Sequence, residues 1–487
     1  MPNALANMML LIWPLVSLLL FLRLPLERAI LWCFIGGYLV LPPLAEFDLP
    51  LVPDMDKFTI PSVVAFGLCV WLLRKPVPLW PRHPLARALT ILFVLCVIPT
   101  VMTNKDPVLF QVLEGAGPIV FLTDMLPGLR WRDLGSVIIN QIIVLMPFLL
   151  ARRYLSCEAG QKELLLALCL AGLAYSIPSL FEIRLSPQLN IWIYGFFQHD
   201  FGQMMRQGGF RPIVFLPHAL WLAFFIFTSI VAAVALARAA QERERTKFAL
   251  AAVYLFGVLY LCKSLASLAY GLSIVPVVAL APARWQMRLA MVIAVIAVTY
   301  PMLRNQGLIP TDAILAQAEA ISTERAQSLG YRFHNEAMML ERAAEKPWFG
   351  WGGWGRNLIR DIETGAIISI PDGHWILVFG TFGWFGYLAE MGLLCSPLLL
   401  LGIEIRRRRG RDISPYSTAI ALILAATMMD MLLNDTLVPM TWLCAGSVLG
   451  YAERLRDPTV FSRKRPLFQG RQILMPQPPS STSRSRI

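Results

Sequence analysis

The chain has 487 residues, of which 57% are apolar and only 15% are charged. Soluble globular proteins average about 25% charged residues, so the composition excludes a soluble enzyme, a disordered scaffold and a secreted disulfide domain. The net charge of +12 does not indicate a nucleic-acid partner, because the basic residues lie in short segments between apolar runs and form no groove-binding pattern. The sequence therefore predicts a polytopic, all-α integral membrane protein whose surroundings are a lipid bilayer.

Apolar runs mark thirteen candidate transmembrane helices along the chain, since roughly 20 apolar residues cross a bilayer core. They lie near 8–22, 29–44, 59–73, 87–103, 136–151, 163–181, 218–237, 248–262, 267–282, 288–303, 374–402, 416–433 and 437–452. Several runs are short enough to be re-entrant or interfacial instead. We therefore predict about 12–13 transmembrane helices.

The polar segments between these runs divide the chain into parts. Residues 1–303 hold ten runs with longer loops at 104–135 and 182–217, and the largest loop is 304–373. The C-terminal runs occupy 374–452 and a basic, Pro/Ser-rich tail occupies 453–487. Most basic residues lie on the side opposite the long loops, so the positive-inside rule places that side and the tail in the cytoplasm.

The largest loop carries a pattern of two amphipathic helices. Pro310 opens a helical pattern that runs to about Leu329, and a second helix is predicted over 330–346, where Pro347 ends it. Its apolar stripe consists of Phe333, Ala337, Leu340 and Ala344. Two external helices are more structure than a simple connection between two spans requires. We therefore expect the function to lie on the external face.

Arginines recur in the external loops, where the positive-inside rule makes them uncommon. They are Arg206, Arg211, Arg325, Arg332, Arg342, Arg356 and Arg360. The guanidinium group donates in a planar fork that suits phosphate or diphosphate. We expect at least one of Arg206, Arg211 and Arg332 to contact an anionic ligand.

Ordinary helix-surface pairing is the alternative for these arginines. Glu336 follows Arg332 by four residues and Glu345 follows Arg342 by three, spacings at which side chains meet on a helix. Such pairs at an exposed surface need no ligand to explain them.

Histidine and aspartate mark the place where the large loop re-enters the membrane. His374 follows Asp372 there, and an imidazole at this position suits a general base on a sugar hydroxyl. His218 begins an earlier run, and capping a span is the alternative role for both histidines. Neither Asp372 with His374 nor His199 with Asp200 has a third ligand in sequence, so we predict no metal site.

Aromatic and acidic residues offer further candidates. Trp348, Trp351 and Trp354 suit either stacking on sugar rings or an aromatic belt at the lipid interface. Glu390 and Asp430 lie inside apolar runs, where an ionisable residue indicates function.

The large loop and its return to the membrane resemble the O-antigen ligase/polymerase superfamily. That family has an arginine on a loop helix, a Pro-x-x-Gly-x-Gly segment and a histidine at re-entry, which here are Arg332, 347–352 and His374. Glycines follow through the next span, at Gly380, Gly383 and Gly386. The segment 209–218 resembles the family's earlier arginine-containing segment. The resemblance covers roughly residues 200–395.

The resemblance implies a reaction on the periplasmic face of a bacterial inner membrane. An undecaprenyl-diphosphate-linked glycan is the donor, a lipid or another glycan is the acceptor, and no cofactor, metal or nucleotide sugar takes part. Arg211 and Arg332 would hold the donor diphosphate, and His374 would position or deprotonate the acceptor hydroxyl. The other substrate-binding candidates are Arg206, Arg356, Asp372, His218, Trp351 and Trp354. An exopolysaccharide-making branch is an alternative within the family.

Two other classes of function stay open. A transporter or flippase of a lipid-linked or anionic solute would use Glu390 and Asp430 as coupling charges. A non-catalytic subunit of a polysaccharide assembly complex would use residues 457–487 to dock a partner.

Overall fold

The structure, a computed structural model, describes residues 1–48, 52–114, 120–206, 208–361 and 363–461. Helices make up most of it, as the composition predicts. They are α1 (Ala4–Arg23), α2 (Leu26–Val40), α3 (Thr59–Gly67), α4 (Pro84–Leu95), α5 (Val97–Met102), α6 (Trp131–Tyr154), α7 (Glu158–Leu185), α8 (Leu189–Tyr194), α9 (Ala219–Ala239), α10 (Glu242–Leu261), α11 (Leu265–Leu280), α12 (Ala283–Asn305), α13 (Thr311–Ile321), α14 (Thr323–Ala344), α15 (His374–Arg407), α16 (Pro415–Asp430) and α17 (Pro439–Arg456). Most of the predicted tail lies outside the described residues.

Each of the thirteen apolar runs is helical, and the run near 87–103 is divided between α4 and α5. Within the described ranges, seven helices are long and apolar enough to cross a membrane. They are Ala4–Arg23, Pro84–Met102, Trp131–Tyr154, Glu158–Leu185, Ala219–Ala239, Ala283–Asn305 and His374–Arg407. The protein is therefore a helical, multi-pass membrane protein. We call the end of the bundle that carries residues 306–373 the loop end.

Two short hairpins depart from the all-α prediction, both at the loop end. Strands β1 (Val108–Glu114) and β2 (Val120–Leu126) pair antiparallel, as do β3 (Met205–Arg206) and β4 (Gly209–Phe210). They lie in the predicted external loops. Segments this short give no helical periodicity, and their valines and phenylalanines suit strands.

The interior of the bundle depends on close helix contact at small residues. Gly446 and Gly450 of α17 face α6, where an added Cβ would lie 2.1 Å from the carbonyl oxygen of Phe148 and 2.2 Å from that of Arg152. Small residues four apart let membrane helices approach to backbone contact. The two glycines therefore fix α17 against α6.

The two helices of the large loop exist, but their boundary differs from the prediction. The chain is extended at Ser322, whereas we predicted a continuous helix to Leu329. Gly330, at the predicted boundary, lies inside α14 and faces Leu315 of α13. An added Cβ at Gly330 would lie 3.7 Å from Cδ2 of Leu315, an ordinary van der Waals contact, so the position lies at the contact between the two helices. Ala344, predicted in the apolar stripe, is exposed.

Helix α15 is broken at Gly383, which corrects the predicted single span over 374–402. Gly383 has φ +63° and ψ −162°, a conformation essentially restricted to glycine. A straight helix of 34 residues would be about 51 Å long, well beyond the ~30 Å core of a bilayer. Residues 374–382 form a short helix, and residues 384–407 form the long one.

The glycine-rich loop at 347–352 braces this break. The amide of Trp351 donates to the carbonyl of Gly380 at 2.8 Å, and the amide of Trp384 donates to the carbonyl of Pro347 at 2.8 Å. Gly350, with φ +67°, lies so close that an added Cβ would be 2.4 Å from the carbonyl oxygen of Thr381. The Pro-x-x-Gly-x-Gly segment thus supplies hydrogen bonds that the broken helix cannot make internally.

Candidate functional site

His374 lies between two carboxylates at the loop end. Its Nδ1 is 2.6 Å from Oδ1 of Asp435, and its Nε2 contacts Oε1 of Glu390. A straight helix would separate His374 from Glu390 by about 24 Å, so the break at Gly383 is what brings them together. The glutamate is buried, whereas the aspartate side chain is 48% exposed.

The turn between α16 and α17 connects His374 to Arg332. The backbone amide of His374 donates to the carbonyl of Met431 at 3.0 Å. Nη1 of Arg332 donates to the carbonyl of Leu433 and to Oδ1 of Asn434, both at 3.2 Å. The same turn therefore positions both the imidazole and the guanidinium that the sequence predicts to act together.

Asp430, the other charge predicted inside a span, also belongs to this turn. Its Oδ1 accepts from the Asn434 amide at 3.1 Å and its Oδ2 accepts from the Thr436 hydroxyl at 3.0 Å. The carboxylate is 3% exposed. It holds the turn in shape, because a carboxylate with two side-chain donors is costly to displace.

Arg211 is the most unusual charge at the loop end. It is 4% exposed, and its Nε has no hydrogen-bond partner among the described residues. Burial, together with the charges of Arg206 and Arg332, lowers the pKa of Arg211 to about 10. The guanidinium still carries its proton near neutral pH. An unpaired N–H on a buried, charged side chain is a candidate contact for an anion.

His218 stands beside these arginines as a neutral ring. Burial lowers the pKa of His218 to about 3, aided by His199, Arg211 and Arg332. Its Nδ1 accepts from the amide of Leu220 at 2.9 Å, which caps α9. The His218 ring meets the His199 ring edge to face at 4.5 Å. His218 thus has the capping role that the sequence offered as its alternative, close to the arginines.

Arg206 and Asp372 border the same region. Nε of Arg206 lies 3.1 Å from Oε1 of Glu324, a pair in which the glutamate is largely exposed. Asp372 lines a small pocket with Arg332. Burial raises the pKa of Asp372, and Arg332 opposes that rise.

Three of the predicted substrate-binding residues have different surroundings. Arg356, 2% exposed, donates to the carbonyls of Pro127 and Asp106 at 2.8 and 2.9 Å. Trp351 lies under the guanidinium of Arg342, at 3.4 Å from carbon to ring centroid. Trp354 is 57% exposed and lines a separate acidic groove.

Of the two helix-surface ion pairs predicted as the alternative, Arg332 with Glu336 and Arg342 with Glu345, only the second forms. Arg342 pairs with Glu345 at 2.8 Å, as the spacing indicates. Glu336 pairs instead with Arg304 of α12, at 2.7 Å. Among the described residues, Arg332 donates to two neutral acceptors, the Leu433 carbonyl and Oδ1 of Asn434.

Asp435 is the site residue that sequence reasoning missed. It lies in a short polar turn between two apolar runs, and nothing in the spacing relates it to a histidine 61 residues earlier. The sequence marks Glu390 only as a charge in a span. Only the fold places both carboxylates on His374.

The arrangement combines a polarised imidazole with three arginines, of which Arg206 alone forms an ion pair among the described residues. A carboxylate on one imidazole nitrogen fixes the tautomer and raises the basicity of the other. Among the described residues, no group of three potential metal ligands comes together in metal-binding geometry. No protein-family model matches the chain, and no curated protein matches it either.

Proposed function

We propose that the protein transfers a glycan from an undecaprenyl-diphosphate-linked donor to a lipid or glycan acceptor, in the manner of an O-antigen ligase or polymerase. The loop end would face the periplasm of a bacterial inner membrane. The observation that carries the proposal is Arg211, a buried guanidinium near Arg206 and Arg332 whose Nε has no hydrogen-bond partner among the described residues. Such a region suits a diphosphate leaving group.

The transfer step uses the two halves of the site together. The acceptor hydroxyl oxygen attacks the anomeric carbon, and the bond from that carbon to the diphosphate oxygen breaks. The electron pair of the broken bond stays on the diphosphate, where Arg211 and Arg332 stabilise it. The hydroxyl proton passes to His374.

The two carboxylates on His374 take different roles in this step. Glu390 is buried and keeps its contact with Nε2, so it orients the ring and stabilises the imidazolium that forms. Asp435 is half exposed. Both ring nitrogens face carboxylates, so the resting ring carries two protons. Asp435 turns toward solvent with the Nδ1 proton and releases it there, the acceptor hydroxyl takes its place, and the freed Nδ1 lone pair then accepts the hydroxyl proton.

Transport has less support from these contacts. A transporter would need Glu390 and Asp430 as exchangeable charges, but Glu390 contacts His374, and Asp430 accepts two side-chain hydrogen bonds. Both groups serve the region around His374.

Deleting the gene and profiling lipid-linked glycans together with surface polysaccharide tests the proposal. Long lipid-linked chains with uncapped lipid A-core identify a ligase. Single lipid-linked repeats with loss of long surface polymer identify a polymerase. Unchanged amounts of lipid-linked glycan and of surface polysaccharide would refute glycosyl transfer. Transport or a non-catalytic role in an assembly complex would then explain the protein better.

A further inference from the structure

We propose that Glu182 is a positioning residue that holds Arg211 in place through the backbone of residues 211–216. This inference rests on the proposed function, because it concerns how the diphosphate-binding arginine is presented. Glu182 lies one turn before the end of α7 and is completely buried. The spacing of the sequence gives no reason to connect the two residues.

The Glu182 carboxylate accepts three backbone hydrogen bonds. Its Oε2 accepts from the amides of Ile213 and Val214, both at 2.8 Å, and its Oε1 accepts from the amide of Leu189 at 3.1 Å. Hydrogen bonds to a charged acceptor are stronger than neutral ones. They fix a segment that has no regular secondary structure of its own.

The backbone at this point needs such a restraint. Val214 has φ +51°, a left-handed conformation that is a genuine outlier for a β-branched residue. Strain of this kind persists only where the surroundings enforce it. Releasing Val214 to an ordinary conformation would turn the chain and move Arg211, three residues earlier.

Other buried side chains complete the restraint from neighbouring elements. The amide of Gln198 donates to the carbonyls of Val214 and Leu216 at 2.9 and 3.1 Å. Lys57 donates to the carbonyl of Phe215 at 2.8 Å. Of Glu182, Gln198 and Lys57, it is Glu182 that binds the backbone group nearest to Arg211 in sequence, the amide of Ile213.

The consequence concerns the charge of the anion site. The hydrogen bonds that Glu182 accepts within the described part of the chain come from backbone amides and not from an arginine. Arg211 is therefore held firmly without being neutralised by a direct partner. Rigid placement of an uncompensated donor is what binding of a diphosphate in a fixed geometry requires.

Binding of undecaprenyl diphosphate to the full-length protein in nanodiscs tests this role through a double-mutant cycle. Glu182→Gln keeps the size of the side chain but replaces one acceptor oxygen, and we expect it to weaken binding about tenfold. In an Arg211→Ala background the same change should have no further effect. Ser179→Ala, equally buried on α7, is the control and should bind as the wild type does.

Hydrogen exchange separates the inference from the proposed function. The amides of Ile213 and Val214 should lose protection in Glu182→Gln and keep it in Ser179→Ala. Wild-type binding and protection in Glu182→Gln, or losses that add to those of Arg211→Ala, would overturn the positioning role alone. No binding of undecaprenyl diphosphate by the wild type would overturn the proposed function and this inference with it.

Discussion

At the scale of single residues, the loop end combines carboxylates that have hydrogen-bond partners with a guanidinium whose Nε has none among the described residues. Glu182, Glu390 and Asp430 are buried carboxylates, and each has hydrogen-bond partners. Arg211 is buried with its Nε unsatisfied. Because a buried charge without a partner is costly, its presence is best explained by an anion that it binds during function.

The two carboxylates on His374 should differ in their importance for activity. We expect Glu390→Gln to lower turnover by about 10²-fold or more, since removing the orienting acid weakens general-base catalysis. Asp435→Asn should have a smaller effect, because the acceptor replaces this side chain. Glycan transfer by membranes containing equal amounts of each variant measures both. Equal losses would contradict the assignment.

His218 makes stability depend on pH. Its pKa is about 3 in the folded protein, below the ordinary value of about 6.5. Between these values the unfolded chain binds a proton that the folded chain does not, so stability falls as pH drops below about 6.5. His218→Asn keeps a capping side chain and should flatten this decline, by up to about 2 kcal/mol at pH 5. Thermal unfolding of both proteins at pH 7.5 and pH 5 gives the comparison, and parallel curves would contradict it.

At the scale of elements, the break in α15 creates the site. The short helix of residues 374–382 folds back beside the long helix, and the loop at 347–352 holds the two together. Without the break, His374 and Glu390 could not meet. Gly383, one of the glycines that mark the family resemblance, therefore supplies the conformation that breaks α15.

Gly383→Ala should destabilise the protein by at least about 3 kcal/mol, because it combines a disallowed conformation with a clash. The new Cβ would lie 2.3 Å from the carbonyl carbon of Trp348. Gly353→Ala is the matched control in the neighbouring loop, where an added Cβ has no neighbour within 4 Å. Thermal unfolding in detergent should separate the two variants clearly. Similar melting temperatures would mean that the break is not held as described.

Much of the helical pattern could be predicted from the sequence, because long apolar runs have few other folds in a membrane. The break at Gly383 could not, since one glycine within an apolar run is compatible with a continuous helix. Arg211, Arg332 and His374 stood out by residue type and position. Asp435 did not, because its role depends on a tertiary contact. The environment of Arg356 likewise depends on carbonyls from a distant loop.

At the scale of the whole molecule, the two ends of the bundle use charge differently. At the end opposite the loop end, Arg152 of α6 and Glu453 of α17 form a buried ion pair at 2.8 Å. Arg152 also donates to the carbonyls of Pro78 and Trp80. Every nitrogen of the Arg152 guanidinium therefore has an acceptor, and the side chain holds neighbouring elements together. In contrast, Nε of Arg211 has no hydrogen-bond partner among the described residues.

Glu453→Gln should therefore be strongly destabilising, by about 3–5 kcal/mol, because it leaves Arg152 buried without its counter-charge. Glu163→Gln is the matched control. It removes the exposed pair of Glu163 with Arg28, which is worth less than about 1 kcal/mol. Unfolding midpoints of the two variants in the same detergent test the contrast. A Glu453→Gln protein as stable as the control would contradict it.

The most direct test of the account is to complement the gene deletion with arginine variants and quantify lipid-linked glycan by mass spectrometry. Arg211→Ala and Arg332→Ala should insert at wild-type levels yet accumulate lipid-diphosphate-linked glycan as the deletion does. Arg132→Ala, a loop-end arginine that is 66% exposed, should restore the wild-type pool. Normal pools and normal surface polysaccharide with both Arg211→Ala and Arg332→Ala would contradict the account.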